Sequence, residues 1–184
     1  MRGLDPTRSP INPQITYRAA VPGDKAFLTE MLALSVDAMT IDKIPTRPLI
    51  ANLVSSWPNR RDIAYIAESA GKPVGAICGH VHTRTELPKA RIGGSGSEPE
   101  LFLAVLQEFR RKGVGYNLLK HLVKSAKQQG YPSVALCARD ENRPAIRLYR
   151  KLAFAAVPKS GYTTIYGKRA RIWRCAAKLS DVIR

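Results

Sequence analysis

The sequence predicts an α/β (α+β) domain, a mixed β-sheet with helices packed on both faces. Three observations carry that prediction. Residues 62–68 and 73–82 are strand-like runs joined by Ser69-Ala70-Gly71-Lys72, which is hairpin chemistry. Residues 115–129 place Leu118, Leu119, Leu122, Val123 and Ala126 on one helical face and Lys120, Lys124 and Lys127 on the other. After that helix, strand and helix alternate, as a β-α-β connection requires. The 184 residues suit one domain, large enough to bury roughly 70% of its unfolded surface.

Taken in order, residues 1–14 hold three prolines and no apolar block, so they read as a flexible leader and not a secretory signal. The single domain is then expected over 15–184. Ile15–Ala20 reads as a strand, and Asp24 as the N-cap of a helix that carries Phe27, Leu28, Met31 and Leu32. A second short helix is expected from Pro48, with Leu49, Leu53 and Trp57 on one side, ending at Pro58. The two hairpin strands follow. Thr83 to Pro99 reads as a loop, and its Gly93-Gly94-Ser95-Gly96-Ser97 run is linker-like, native or engineered. Glu100–Leu106 is an apolar strand, and the helix of 115–129 ends at Gly130. Ser133–Arg139 is another strand. Asn142 caps a helix through Leu152, with Pro144 tolerated in its first turn. Phe154–Val157 and Arg171–Lys178 are the last strand candidates.

Composition narrows the class. Lys plus Arg is 30 and Asp plus Glu is 14, a net charge of +16, so an anionic ligand or partner is expected. From Gln107 onward there are eighteen basic residues against four acidic ones, which places the anion site in that half. Cys78, Cys137 and Cys175 lack ligand spacing and lie in apolar runs, so each is expected as a buried, reduced thiol. No apolar stretch is long enough to span a bilayer. A cytoplasmic protein is the simplest reading.

Chemistry concentrates where a strand runs into a basic turn and then a helix, from Leu103 through Arg110-Arg111-Lys112-Gly113-Val114-Gly115. Such a turn presents backbone N–H groups and the positive helix end to a phosphate. Glycines allow close approach. Taken alone, the pattern also fits an ordinary strand-to-helix connection. Leu118 stands where a dinucleotide fingerprint needs glycine, and no Gly-Lys-Ser/Thr follows.

One strand further on lies Asn142-Arg143-Pro144-Ala145-Ile146-Arg147-Leu148-Tyr149-Arg150-Lys151-Leu152-Ala153-Phe154. With it, the chain resembles the GNAT superfamily of acyl-CoA N-acyltransferases from Ile15 to Lys178. The family's Arg/Gln-x-x-Gly-x-Gly/Ala signature is matched by Arg110, Gly113 and Gly115. Its Asn-x-x-Ala-x-x-x-Tyr-x-x-x-Gly-Phe pattern is matched by Asn142, Ala145, Tyr149 and Phe154. Ala153 and Arg111 depart from it, each standing where many members have glycine.

The resemblance implies a mostly antiparallel sheet of six to seven strands, with a splay between the two central ones. It implies acetyl-CoA as cosubstrate and no metal. The pyrophosphate would lie on Arg110 and the N–H groups of Arg111, Lys112, Gly113, Val114, Gly115 and Tyr116. The pantetheine arm would pair with Leu103, Ala104 and Val105, with Asn142 bonding it and Ala145 leaving room. A backbone N–H near Val105 would stabilise the oxyanion, and Tyr149 would protonate the leaving thiolate. Without the motif, Tyr149 reads as a core aromatic.

The general base is less defined. Glu98 and Glu100 begin the strand to Val105, where some members place a glutamate; Pro99 separates Glu98, so Glu100 is the candidate beside a water relay. His80 and His82 alternate on a strand and offer a further proton relay, with no third ligand for a metal. Tyr162 and Tyr166 are candidate acceptor contacts. The expected activity is acetyl transfer to a primary amine of a small molecule. Alternatives are acetylation of protein or peptide amino groups, and a basic nucleic-acid- or ribosome-associated CoA-binding module without catalysis. A homodimer is compatible with the fold.

Overall fold

The computed structural model describes residues 14–37, 57, 61–82, 98–163 and 169–176. Its strands are β1 (Ile15–Ala19), β2 (Ile63–Ser69), β3 (Lys72–His80), β4 (Glu100–Val105), β5 (Ser133–Arg139), β6 (Ala155–Ala156), β7 (Tyr162–Thr163) and β8 (Arg169–Ala176). Its helices are α1 (Lys25–Asp37), α2 (Val114–Gln128) and α3 (Arg143–Lys151). The sheet order is β1-β2-β3-β4-β5-β8-β6, and the two-residue β7 shares the outer edge of β8 with β6, so the sheet is seven positions wide. Every described pairing is antiparallel except β4 with β5.

Side-chain alternation divides the core into two layers. Val74 and Ile77 of β3, Leu101 of β4 and Val134, Leu136 and Ala138 of β5 pack with α2 and α3. Ala76 and Cys78 of β3 and Phe102 and Ala104 of β4 face the other way, against Leu28, Met31 and Leu32 of α1 and against Trp57. The β2–β3 hairpin turns through Ala70 and Gly71, both at positive φ.

Several boundaries shift from the sequence reading. β8 lies two residues earlier than expected, and β6 keeps only Ala155 and Ala156. Asp24 does not cap α1. It closes a short 3₁₀ turn at Pro22–Asp24, accepting the Val21 N–H at 2.8 Å, and its two oxygens hold Arg18 at 2.7 and 2.8 Å. Arg18 and the Val21 N–H hold the Asp24 carboxyl below the usual carboxylate range, against the opposing effect of burial. The leader, the helix expected from Pro48 and the glycine-serine run lie outside the described residues, apart from the buried Trp57.

Ala153 has φ of 57°, the left-handed region that favours glycine, just before the buried Phe154. The departure from the glycine pattern therefore costs backbone strain. Ala153→Gly is expected to stabilise the fold by about 0.5–1 kcal/mol, the relief of strain being partly offset by glycine's freer unfolded chain. A rise in the denaturant midpoint at unchanged m-value checks it.

Candidate functional site

β4 and β5 share one bridge, Glu100 with Ala135, and Ala135 donates its N–H to the Pro99 carbonyl at 3.0 Å. Beyond that point the two strands separate. Leu106 donates its N–H to Val74 in β3, so alternation turns the N–H groups of Leu103 and Val105 toward the gap. The gap is thus a parallel-strand slot with one hydrogen-bonding edge exposed. An extended amide-bearing chain fits such an edge.

At its open end, β4 leads into a short 3₁₀ turn (Gln107–Phe109) and then into α2. Arg111 has φ of 62° and Gly113 φ of 80°, so two left-handed residues bend the chain within three positions. Arg111 therefore occupies, under strain, a conformation in which glycine is favoured. The first intrahelical bond of α2 is Asn117 N–H to Gly113 O at 3.1 Å, and no side chain caps the helix. The N–H groups of Val114, Gly115 and Tyr116 are left as donors at the positive helix end. That is an anion cradle built from backbone.

The side chains of the turn play other parts than their charge suggests. Arg110 folds back, its Nε donating to the Val105 carbonyl at 2.8 Å, which ties the turn to the end of β4. Lys112 lies 5.4 Å from the centre of the Phe109 ring, and Arg111 is exposed. Gly115 works differently from Gly113. A Cβ there would meet Leu148, Leu103 and Val105 at 3.4–3.8 Å, so its smallness lets α2 lie close to β4 and α3.

The gap is flanked on one side by α3. Asn142 Oδ1 accepts the Ala145 N–H at 3.3 Å, capping the helix, so only its amide NH₂ remains to bond another molecule. Ala145 is half-buried on the same helix. Tyr149 is 9% exposed, packed against Phe154 with ring centres 6.0 Å apart. Burial, and then the neighbouring Cys137, push its phenol up to about 12. Tyr149 is therefore a proton donor throughout the neutral range.

Cys137 corrects the sequence reading of three buried thiols. Cys78 and Cys175 are buried and their thiols are pushed up chiefly by burial, but Cys137 of β5 is half-buried and lies near Tyr149.

Glu98 and Glu100 are both buried, but their partners differ. Arg174 of β8 grips both oxygens of Glu98 at 2.6–3.1 Å, and Ser133 donates to one of them, so this carboxylate is a clamp joining β8 to the start of β4. Glu100 Oε2 lies 2.6 Å from His82 Nε2. His80 Nδ1 lies 2.9 Å from Asp62 Oδ1, and the two imidazoles meet edge to face with centres 4.9 Å apart. Asp62 and Arg174 were not singled out from sequence; both act through partners distant along the chain. Tyr166 and the side chain of Tyr162 lie outside the described residues. Among the described residues, no three His, Cys, Asp or Glu side chains converge as a metal site, and no helix is long and apolar enough to cross a membrane.

The same arrangement recurs in known proteins. The model of the Acetyltransferase (GNAT) family matches residues 30–154. The ribosomal protein bS18-alanine N-acetyltransferase of Escherichia coli (strain K12) is 35% identical over 78 residues, 41% of this chain and 53% of that one. The crystal structure of the ribosomal-protein-S18-alanine N-acetyltransferase from Escherichia coli covers 89% of this chain and 94% of its own, with a TM-score of 0.64 and 21% identity. The yncA structure from Salmonella typhimurium, solved with its cofactor acetyl-CoA, covers 89% of this chain and 94% of its own, at a TM-score of 0.68 and 19% identity. The chain spans about half the length of the curated relatives it matches, 44% and 53% for the first two. The strand gap, the uncapped turn and Tyr149 all fall within residues 30–154, and on that match the chain belongs to the GNAT family of acetyltransferases and is an acyltransferase.

Proposed function

We propose that this chain moves the acetyl group of acetyl-CoA to a primary amine, and that the amine is the N-terminal α-amino group of a peptide or protein. The observation that carries the reaction is the slot between β4 and β5, with the uncapped turn at its mouth and the Tyr149 phenol beside it. The thioester supplies an activated acetyl group. The backbone N–H groups of Val114, Gly115 and Tyr116 suit a pyrophosphate, and the gap-facing edge at Leu103 and Val105 suits the pantetheine amides. The N–H groups on that edge are also suited to an oxyanion. Tyr149 supplies the proton that a departing thiolate requires.

The acceptor class rests on the bS18-alanine enzyme among the relatives, whose name specifies an alanine amino group. An α-amine also makes modest demands on a base. Its reference pKa is about 7.7–8.0, against about 10.4 for a lysine side chain, so a fraction is already free at neutral pH.

Acetyl-CoA at 100 times its dissociation constant is expected to stabilise the protein by about 2.7 kcal/mol, chelator present or absent, read as a raised melting temperature. Mass spectrometry of an amine panel then tests the acceptor. The arms are an alanine-initiated peptide with its lysines blocked, the same peptide with its N-terminus blocked and a lysine free, and a small aliphatic amine. Acetyl on the first alone supports the reading. Acetyl on the small amine alone returns it to small-molecule chemistry, and no transfer to any arm refutes both.

A further inference from the structure

Four titratable side chains lie together in the α1-facing layer of the sheet with no role in the reaction as described. Asp62 precedes β2, His80 ends β3, His82 follows it, and Glu100 opens β4. The register pairs His80 directly with Glu100. The side chains of all four are only 1–2% exposed. Burying two carboxylates is costly unless each is paired, and apolar residues would give comparable stability without that cost.

The choice of partner separates Glu100 from its neighbour. The fold neutralises Glu98 with Arg174, whose charge is permanent. Glu100 is held instead by a histidine, the side chain whose ordinary range of proton exchange lies near neutrality. A partner that exchanges protons is a poor structural clamp and a good proton acceptor.

Position supplies the second argument. Glu100 and Ala135 form the last bridge before β4 and β5 part, so Glu100 stands at the closed end of the slot. Bridged residues share a face, and Cys137, two residues beyond Ala135, shares it as well. Cys137 is near the Tyr149 phenol. The carboxylate and the phenol thus flank the inner end of the slot from opposite layers of the sheet.

We infer that Glu100 and His82 work as one proton-accepting pair for the acceptor ammonium, with Glu100 the catalytic base and His82 its positioning residue. This rests on the amine-acetylation reading above. Glu100 takes one proton from the ammonium nitrogen; that N–H bond breaks, an O–H bond forms, and the nitrogen lone pair is freed for attack on the acetyl carbon. His82, already sharing a proton with Oε2, takes up the excess and leaves the pair as imidazolium and carboxylate, neutral as a unit. Burial favours that neutral state. The proton then passes to water. A second nitrogen proton makes good the one Tyr149 gives to sulfur, which balances amide, thiol and one released proton.

The groups around the pair are Asp62 with His80, the buried Cys78 beside Asp62, the Glu98–Arg174 clamp and Cys137, while α1 presents Leu28, Met31 and Leu32. Among these, the second histidine–carboxylate pair is the one placed to pass a proton onward, through the contact of the two imidazoles.

The test compares the full chain with Glu100→Gln, His82→Gln and the double variant, using the alanine-initiated peptide in single turnover from pH 6 to pH 10. Thermal shift with acetyl-CoA serves as the control for folding. Each single variant is expected to lose roughly 10²-fold at pH 7 and to keep its acetyl-CoA affinity. Each is then expected to recover tenfold per pH unit until the peptide amine is free. The double variant should be no slower than Glu100→Gln, because the two act as a unit. In the parent, the His82 ring nitrogens seen by NMR should shift when Glu100→Gln is introduced, without substrate present. A parent-like pH profile in both single variants overturns the inference while leaving acetyl transfer intact. No transfer by the parent to any amine overturns the underlying reading, and this inference with it.

Discussion

Tyr149→Phe is expected to slow acetyl transfer in a single turnover by about 10²–10⁴-fold while acetyl-CoA affinity stays as in the parent. The ring, its packing on Phe154 and its place in α3 all survive the substitution. What disappears is the proton. In the parent the phenol is pushed up to about 12 by burial and by Cys137, so it remains a donor at any pH an assay can use. A purely packing role predicts the opposite result, since phenylalanine fills the same space without a buried hydroxyl.

The same shift gives a stability signature with a defined sign. The folded pKa lies above the reference of about 10. The folded state therefore holds its proton more tightly than the unfolded chain does. The associated stability is full below pH 10 and is lost as pH climbs from 10 to 12. Tyr149→Phe should lack that particular alkaline loss. Chemical denaturation of both proteins at pH 8 and pH 11 measures it. Unchanged single-turnover chemistry at every pH would remove Tyr149 from the mechanism, whatever the stability data show.

The parts of this molecule that were legible in sequence are those fixed by local pattern. The face of α2 could be read because its apolar residues recur at the helical period. The turn at 110–115 could be read because glycine supplies the positive φ found at Gly113. Ala153 and Arg111 were visible as departures from a glycine pattern. Their left-handed backbone, at 57° and 62°, was not, since a residue letter carries no dihedral angle.

Long-range pairing was the part that could not be read. Glu98 and Glu100 have the same parity and adjoin the same proline, so local pattern treats them almost alike. Their difference comes from Arg174, 76 residues beyond Glu98, and from His82, placed by the β3–β4 register. Asp62 joins His80 only because β2 and β3 form a hairpin. Cys137 looked like any small residue in an apolar strand. It is half-buried because β5 separates from β4 just beyond Ala135, and strand separation leaves no mark in a hydrophobic pattern. The basic turn misled in one respect: Arg110 and Lys112 spend contacts on Val105 and Phe109, so backbone supplies more of the cradle than charge does.

Gly113→Glu tests that division of labour, and it carries the largest expected effect on ligand binding. A Cβ at this position comes no nearer than 4.0 Å to another side chain, so the fold has room for the substitution. The backbone objects instead. At φ of 80° a glutamate costs about 1–2 kcal/mol of stability, which a domain of ordinary stability survives. The carboxylate would stand at the N-terminus of α2, against the donors offered to the pyrophosphate. Like charges some 4 Å apart near a protein surface repel by about 4 kcal/mol, so acetyl-CoA affinity should fall roughly 10²–10³-fold. Gly113→Asn separates charge from shape, because asparagine tolerates the left-handed region and carries no charge. Titration calorimetry should show Gly113→Asn binding acetyl-CoA within about tenfold of the parent and Gly113→Glu losing at least a hundredfold. Loss in both would mean that close approach of bare backbone is what glycine supplies. Parent-like binding by Gly113→Glu would move the phosphate site away from this turn.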